Sequence, residues 1–348
     1  MSLPRGRAAM ATLVATEGSS PRATGSRMWV DEDGRIVGSV TIGGCVDARV
    51  IEASALALEN DRPALLSMAL GDEDAWAIGM TCAGTIEVLV EPVDSQAAND
   101  PVARALAEAR AEVEAGGPAV IVAPLSGAPR RLVVTHHGTS GTLGDPALDA
   151  AAEREATSLL AGGASGVRVV HGDQRLFFER QAPPLTLVVF GATHVAMPLV
   201  AMGRVLGMRT IVVDGRDQFA TRERFPTADE IMVGMPSELA ERMPLGRESF
   251  VVLLSHDYKY DLPVLQAVLA SDAAYVGVLG STRRGKALLD FLAGEGVPAA
   301  QLARIRIPVG LDIGGTTPEE IALSVLAEAV AVHHGRGGGP MRDRGKGS

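Results

Sequence analysis

The chain has 348 residues, 47% of them hydrophobic and 21% charged, with a formal net charge of −10. That length suits two domains, each with its own core, and the apolar content excludes a disordered chain. The acidic balance excludes general attraction to nucleic acid or to an anionic membrane surface, and two cysteines exclude a disulfide framework, so a reducing cytoplasm is the expected setting.

The first basic residues, Arg5 and Arg7, followed by the apolar stretch 8–16, resemble a secretory leader only superficially. The apolar run is short and leads straight into charged sequence, so 11–16 is read as a strand. Residues 27–30 and 36–42 form two more strands joined by the turn Asp31-Glu32-Asp33-Gly34, a plausible hairpin. Residues 46–60, rich in Ala, Leu and Glu, are predicted helical. A strand at 85–90 and a helix at 102–114 follow, the helix closed by Gly116-Gly117-Pro118. Strands are predicted at 119–123 and 131–135, a helix at 146–161, and a strand at 175–179. No internal repeat is legible. Residues 1–181 are therefore expected to form a mixed α+β domain.

After Arg180-Gln181-Ala182-Pro183-Pro184, read as a linker, strands and helices alternate. Short apolar strands are expected at 185–190, 210–213, 230–233, 250–254 and 275–279. Helices are expected at 195–206, 217–225, 237–242, 262–270 and 283–293. This grammar, with strands apolar on both faces, predicts a Rossmann-like doubly wound parallel sheet over 182–334. Thr317-Pro318-Glu319-Glu320 reads as a capping box opening the last helix. The Gly-rich basic tail, 335–348, is expected to be disordered, and no segment is long and apolar enough to span a bilayer.

Both cysteines sit in glycine-marked turns. Cys45 follows Gly43 and Gly44 at the start of a helix, where backbone N–H groups and the helix dipole favour a thiolate. A small buried hydrophobe is the other reading of such a residue, and the more natural one for Cys82. In the second half, Gly191-Ala192-Thr193-His194-Val195-Ala196 follows the first strand. It fits a dinucleotide-binding turn at Gly191 and Ala196, but Thr193 stands where the second glycine lets a pyrophosphate approach. Asp214 ends the second strand, where an acidic residue would bind ribose hydroxyls. Alternatively, these glycines only permit close strand–helix packing. His256 and Asp257 follow the fourth strand, as proton-transfer partners or as a strand-end capping pair. Gly280, Ser281 and Arg283 open a helix and suit an anion; Asp312 lies in the loop before the last helix. Arg22 belongs to a donor-rich loop that suits phosphate or is an ordinary solvated turn. The histidines and cysteines show no zinc-ligand spacing.

Taken in order, these motifs resemble the xanthine dehydrogenase accessory factor family of the XdhC/CoxI type. The resemblance rests on Glu17-Gly18-Ser19-Ser20-Pro21-Arg22, Gly43-Gly44-Cys45-Val46 and Cys82 before Ile86-Glu87-Val88 in the first half. In the second half it rests on Val189-Phe190-Gly191-Ala192-Thr193-His194, Ser255-His256-Asp257, Tyr275 through Ser281, and Gly310-Leu311-Asp312-Ile313-Gly314. It implies a maturation factor that binds the molybdenum cofactor, as molybdopterin or a nucleotide form, supports its sulfuration and delivers it to a hydroxylase client of the xanthine dehydrogenase type. It implies a cysteine desulfurase as a second partner, a homodimer, and Cys45 as the residue that touches the metal or carries sulfur, with Cys82 beside it among the candidate reactive residues. The cofactor-binding positions it suggests are Arg22, Gly43, Gly44, Cys45, Gly191, His194, Asp214, Gly280, Ser281, Arg283 and Asp312. Thr193 departs from the family's glycine. The alternative is an NAD(P)-dependent oxidoreductase using the Rossmann-like half, which Asp214 favours and Thr193 opposes.

Overall fold

The computed structural model describes residues 6–18, 22–40, 45–70, 84–255 and 258–343. Gly43, Gly44, Cys82, His256 and Asp257 lie outside the described residues, as does the side chain of Cys45. The chain divides into two compact units after Pro183. Among the described residues no helix is long and apolar enough to cross a membrane.

The first unit holds two five-stranded antiparallel sheets. Strands β1 (Arg7–Gly18), β2 (Arg27–Asp31) and β3 (Ile36–Gly38), helix α1 (Cys45–Asn60), and strands β4 (Ala64–Leu70) and β5 (Gly84–Asp94) build the first. Its order is β3-β2-β1-β5-β4. Helix α2 (Pro101–Glu114) leads to β6 (Ala119–Pro124), β7 (Arg131–Thr135) and β8 (Gly138–Thr142), then α3 (Pro146–Leu160), β9 (Gly166–Val170) and β10 (Gln174–Gln181). The second sheet has the order β8-β7-β6-β10-β9. The two segments share one topology, three strands, a helix and two strands, so the unit is a tandem structural repeat. This corrects the expectation that the chain holds no internal repeat.

Local chemistry explains the elements. Asp100 and Asp145 each cap a helix by accepting two backbone N–H groups, with Pro next in sequence; Pro at the first helical position loses no hydrogen bond. The β2–β3 hairpin closes where the Asp31 carboxylate accepts the N–H groups of Asp33 and Arg35. The strand expected to reach residue 42 stops at Gly38, whose φ of +84° leaves the extended region. On β1, Ala9, Ala11 and Leu13 pack under α1 against Val50, Ala53 and Ala57. In the second sheet, Val120, Val122, Leu132 and Val134 pack under α3 against Ala152, Ala156 and Leu159. The opposite faces meet: Met10 and Trp29 share a core with Ile121, Val133 and the buried side of α2, and Leu89 shares one with Ala123 and Phe177. Helix, sheet, sheet and helix thus stack as four layers.

Two ion pairs cross the central layer. Arg27 opens β2 and pairs with Glu179 of β10, while Arg131 opens β7 and pairs with Glu91 of β5. Arg27 and Arg131 hold equivalent places in the two repeats, as do Glu91, opposite Met10, and Glu179, opposite Ile121. Each repeat thus gives its arginine to the other's glutamate. Thr12 Oγ1 and Arg27 Nε, both near this centre, are buried without a hydrogen-bond partner among the described residues.

The second unit is a six-stranded parallel sheet ordered β13-β12-β11-β14-β15-β16. Its strands are β11 (Thr186–Phe190), β12 (Arg209–Asp214), β13 (Glu230–Val233), β14 (Ser249–Leu253), β15 (Tyr275–Val278) and β16 (Ile305–Arg306). Its helices are α4 (Ala196–Val205), α5 (Pro236–Arg242), α6 (Tyr258–Leu269), α7 (Thr282–Gly294), α8 (Ala299–Leu302) and α9 (Pro318–His333). Leu187 and Val189 of the first strand face α4 and α9, packing with Leu199, Val325 and Ala329. Val188 and Phe190 face the other way, onto Val264, Leu265 and Val268 of α6. Helices on both faces explain why these strands read as unbroken apolar runs. Helix α9 opens with the expected capping box, Thr317 and Glu320 bonding reciprocally. The helix expected at 217–225 is absent. Isolated turns replace it, with bonds such as Ala220 N–H to Arg216 O and Phe225 N–H to Thr221 O. Phe225, which is buried, anchors the loop in the core. The tail is described as far as Asp343 and includes a short 3-10 turn at Met341–Asp343.

Candidate functional site

A cavity of about 590 Å³ opens at the carboxyl ends of β11, β12, β13 and β14. Strand order reverses between β11 and β14, and an open parallel sheet binds ligands in the crevice at such a point. Its walls include Gly191, Thr193, Asp214, Arg216, Met235, Pro236, Ser255 and Asp261.

Each wall has a local cause. Gly191 follows β11 with φ +105°, a conformation that suits glycine. A Cβ there would lie 3.1 Å from the Ser255 nitrogen and 3.2 Å from the Leu254 carbonyl carbon, both backbone atoms. Thr193 stands inside the turn, and its Oγ1 is buried with no hydrogen-bond partner among the described residues. Ser255 Oγ donates to Asp261 Oδ1 at 2.5 Å.

Asp214 is buried at the end of β12, and its carboxylate is fully engaged. Oδ2 accepts the Ala192 N–H at 2.7 Å and Arg216 Nη2 at 2.9 Å. Oδ1 accepts the Arg216 N–H at 2.9 Å and Arg216 Nε at 3.0 Å. A carboxylate offers about four acceptor positions, so these bonds leave none for ribose hydroxyls. The sequence expectation for Asp214 thus meets a different geometry: the acid stands in the cavity wall, but Arg216 covers it. Burial pushes the Asp214 carboxyl upward, yet the Arg216 guanidinium and the two backbone N–H groups outweigh it and hold the carboxyl below its usual value.

Asp214→Ala should destabilise the protein by about 1–3 kcal/mol, because Ala192 N–H and the guanidinium lose their acceptor. A depressed folded-state value gives stability that is present above the unfolded carboxyl value and lost as pH falls through the folded one. Urea melts of wild type and variant should therefore converge below about pH 4. An undiminished gap at pH 3 would contradict the assignment.

Of the other sequence-derived candidates, Gly191 and Asp214 come together here. His194 is exposed and outside the cavity wall. Ser281 caps α7 by accepting the Arg284 N–H, while Arg283 and Asp312 are exposed elsewhere along the sheet's rim. Arg22 lies exposed in the first unit, where Cys45 is the first residue of α1. Sequence reasoning missed Arg216 and Phe219. The signal available was an arginine two places after the strand-ending acid, since an arginine nearby is how such sheets accommodate a ribose phosphate.

Fold and cavity together define a two-unit protein whose C-terminal unit is a Rossmann-type domain with a cavity at the switch point of its sheet. The chain belongs to the XdhC/CoxI family: the XdhC Rossmann domain matches residues 187–329, and the XdhC and CoxI family matches residues 4–69. It is 28% identical to a probable xanthine dehydrogenase component of Bacillus subtilis (strain 168), across 93% of this chain and 92% of that protein. It is 38% identical over 88 residues to the molybdenum cofactor insertion chaperone PaoD of Escherichia coli (strain K12), a match covering 25% of this chain and 28% of PaoD. The crystal structure of a xanthine dehydrogenase from Bacillus halodurans superposes with a TM-score of 0.73 at 28% identity, covering 95% of this chain and 93% of that one.

Proposed function

We propose that this chain is an accessory factor that binds the molybdenum cofactor, supports its sulfuration and delivers it to a hydroxylase of the xanthine dehydrogenase type. The observation that carries this is family membership found separately in both units, alongside likeness to a named cofactor insertion chaperone. The chain's two cysteines fall short of the four that one iron–sulfur cluster ordinarily takes, so a role beside a hydroxylase suits it better than the role of one.

Residue chemistry supports the reading. Molybdenum in its cofactor is bound through sulfur, and thiolates suit soft metal centres. Cys45 is the first residue of α1, and helix N-termini in general favour a thiolate. It is the residue proposed to touch the metal or to carry sulfur supplied by a cysteine desulfurase. Gly43 and Gly44, which precede it in the sequence and carry no side chain, are further proposed cofactor-binding positions. The cavity beside Gly191 is the proposed seat for the phosphate-bearing end of the cofactor. A homodimer in a reducing cytoplasm completes the proposal.

The test is co-elution of purified protein with molybdenum cofactor, followed by activation of apo-hydroxylase. Cys45→Ala should weaken retention by at least about tenfold, as losing a metal contact does, and should abolish activation. Normal activation by that variant would rule out the thiol's role. The second reading, an NAD(P)-dependent oxidoreductase, is favoured by the strand order and by the cavity at the switch point. Titration with NAD(H) and NADP(H) together with a turnover assay separates the two, because only an oxidoreductase transfers hydride.

A further inference from the structure

We propose that the C-terminal cavity selects ligands that carry a terminal phosphate monoester, seated against Arg216, and turns away an unphosphorylated ribose diol. The inference rests on the reading that this cavity is the unit's ligand site and adds the chemistry it selects.

Three observations carry it. First, Asp214 has no acceptor left, so the group that would hold a bare ribose is spent inside the protein. Second, the loop after β12 gathers cations. Arg216 lies over the Phe219 ring at 4.2 Å from its centroid, and Arg224 lies at 5.1 Å from the same centroid. Arg216 alone of the two pairs with Asp214, and Arg224 makes no ion pair among the described residues. Asp217 and Glu223, exposed on the same loop, pair with neither arginine among the described residues. Arg216 spends Nε and Nη2 on Asp214, while Nη1 makes no hydrogen bond among the described residues. That nitrogen is a fixed donor pair of the kind that suits phosphate oxygens. Third, Thr193 lines the same cavity, and its buried Oγ1 has no hydrogen-bond partner among the described residues.

The cavity is polarised. Asp261, hydrogen-bonded to Ser255, stands on the α6 side, and Arg216 stands on the β12 side. An anionic end therefore belongs over β12, with the ligand's body running toward Thr193 and Tyr260. A ribose phosphate and the phosphate of a pterin cofactor offer the same chemistry to Arg216.

Two matched probe pairs test this against the full chain. One is NADPH with NADH. The other is the fluorescent pterin released by oxidation of molybdopterin, before and after phosphatase treatment. Wild type should prefer the phosphorylated member of at least one pair by about tenfold or more, and that pair names the source. Arg216→Gln should erase the preference, and Arg216→Lys should keep part of it as a point charge. Arg224→Gln, outside the cavity wall, should lower it and serves if Arg216→Gln fails to fold. Equal affinity within both pairs, absence of binding included, overturns the inference, as does a preference that survives Arg216→Gln in folded protein. Co-elution of intact molybdenum cofactor, measured in parallel, reads the accessory-factor proposal separately: retained cofactor without phosphate preference sinks only the selectivity.

Discussion

Glu91→Leu should destabilise the N-terminal unit by about 3–5 kcal/mol in urea unfolding, because it leaves a buried guanidinium without its counter-charge. Arg131 and Glu91 are only 5% and 1% exposed at their side chains, so water cannot substitute for the missing partner. The Arg131 bond to the Arg130 carbonyl satisfies one donor and neutralises nothing. Removing both charges, as Glu91→Leu with Arg131→Leu, should recover most of the loss, because no charge is then left unpaired among Met10, Leu89, Ile121 and the intact Arg27–Glu179 pair. The equivalent pair, Arg27 with Glu179, is more exposed, at 18% and 10%, and breaking it should cost less. A single-variant loss below about 1 kcal/mol would mean that the charge escapes to solvent and that the sheets pack more loosely than described.

Gly191→Val should cost roughly 2–4 kcal/mol and abolish ligand binding by the C-terminal unit. Two penalties add. A residue with φ +105° is strained once it carries a β-branched side chain, and the new Cβ meets the Ser255 and Leu254 backbone, which cannot swing aside as a side chain would. Any relief of the clash separates β11 from β14 at their carboxyl ends, where the cavity opens. Gly191→Ala should fall between wild type and Gly191→Val in both stability and ligand affinity. Thermal melts with titration of the same probes would check this; a Gly191→Val protein that melts and binds like wild type would show that the turn is not held as described.

Much of the C-terminal unit was legible because two-sided burial leaves a plain trace. Val188 and Val189 point to opposite cores, yet both must be apolar, so β11 stands out from helix periodicity. The capping box at Thr317 was legible for a similar reason, since its chemistry is local. The loop after β12 was not. Residues 217–225 carry helix-compatible side chains, but Phe225 is drawn into the core and the arginines onto Phe219, so tertiary contacts decide. The repeat in the first unit leaves no trace legible in the sequence, because its halves share topology and a few polar positions rather than a fixed spacing. The interval from Arg27 to Glu91 is longer than that from Arg131 to Glu179, so no constant period links them. At the candidate site, Gly191 and Asp214 could be named from the turn motif, but which group Asp214 binds depended on where Arg216 folds back.

The exchanged ion pairs have a consequence for how the first unit came to hold together. Within either repeat the arginine and the glutamate sit on strands separated by a third, β1 or β6, and each half is neutralised by the other. Residue i of one half meets j of the other while j meets i, which is the bonding pattern of an isologous dimer, here written into one polypeptide by the α2 connection. Severed between Asp94 and Pro101, the two pieces would behave as complementary fragments that need each other to bury their charges, not as autonomous folding bodies.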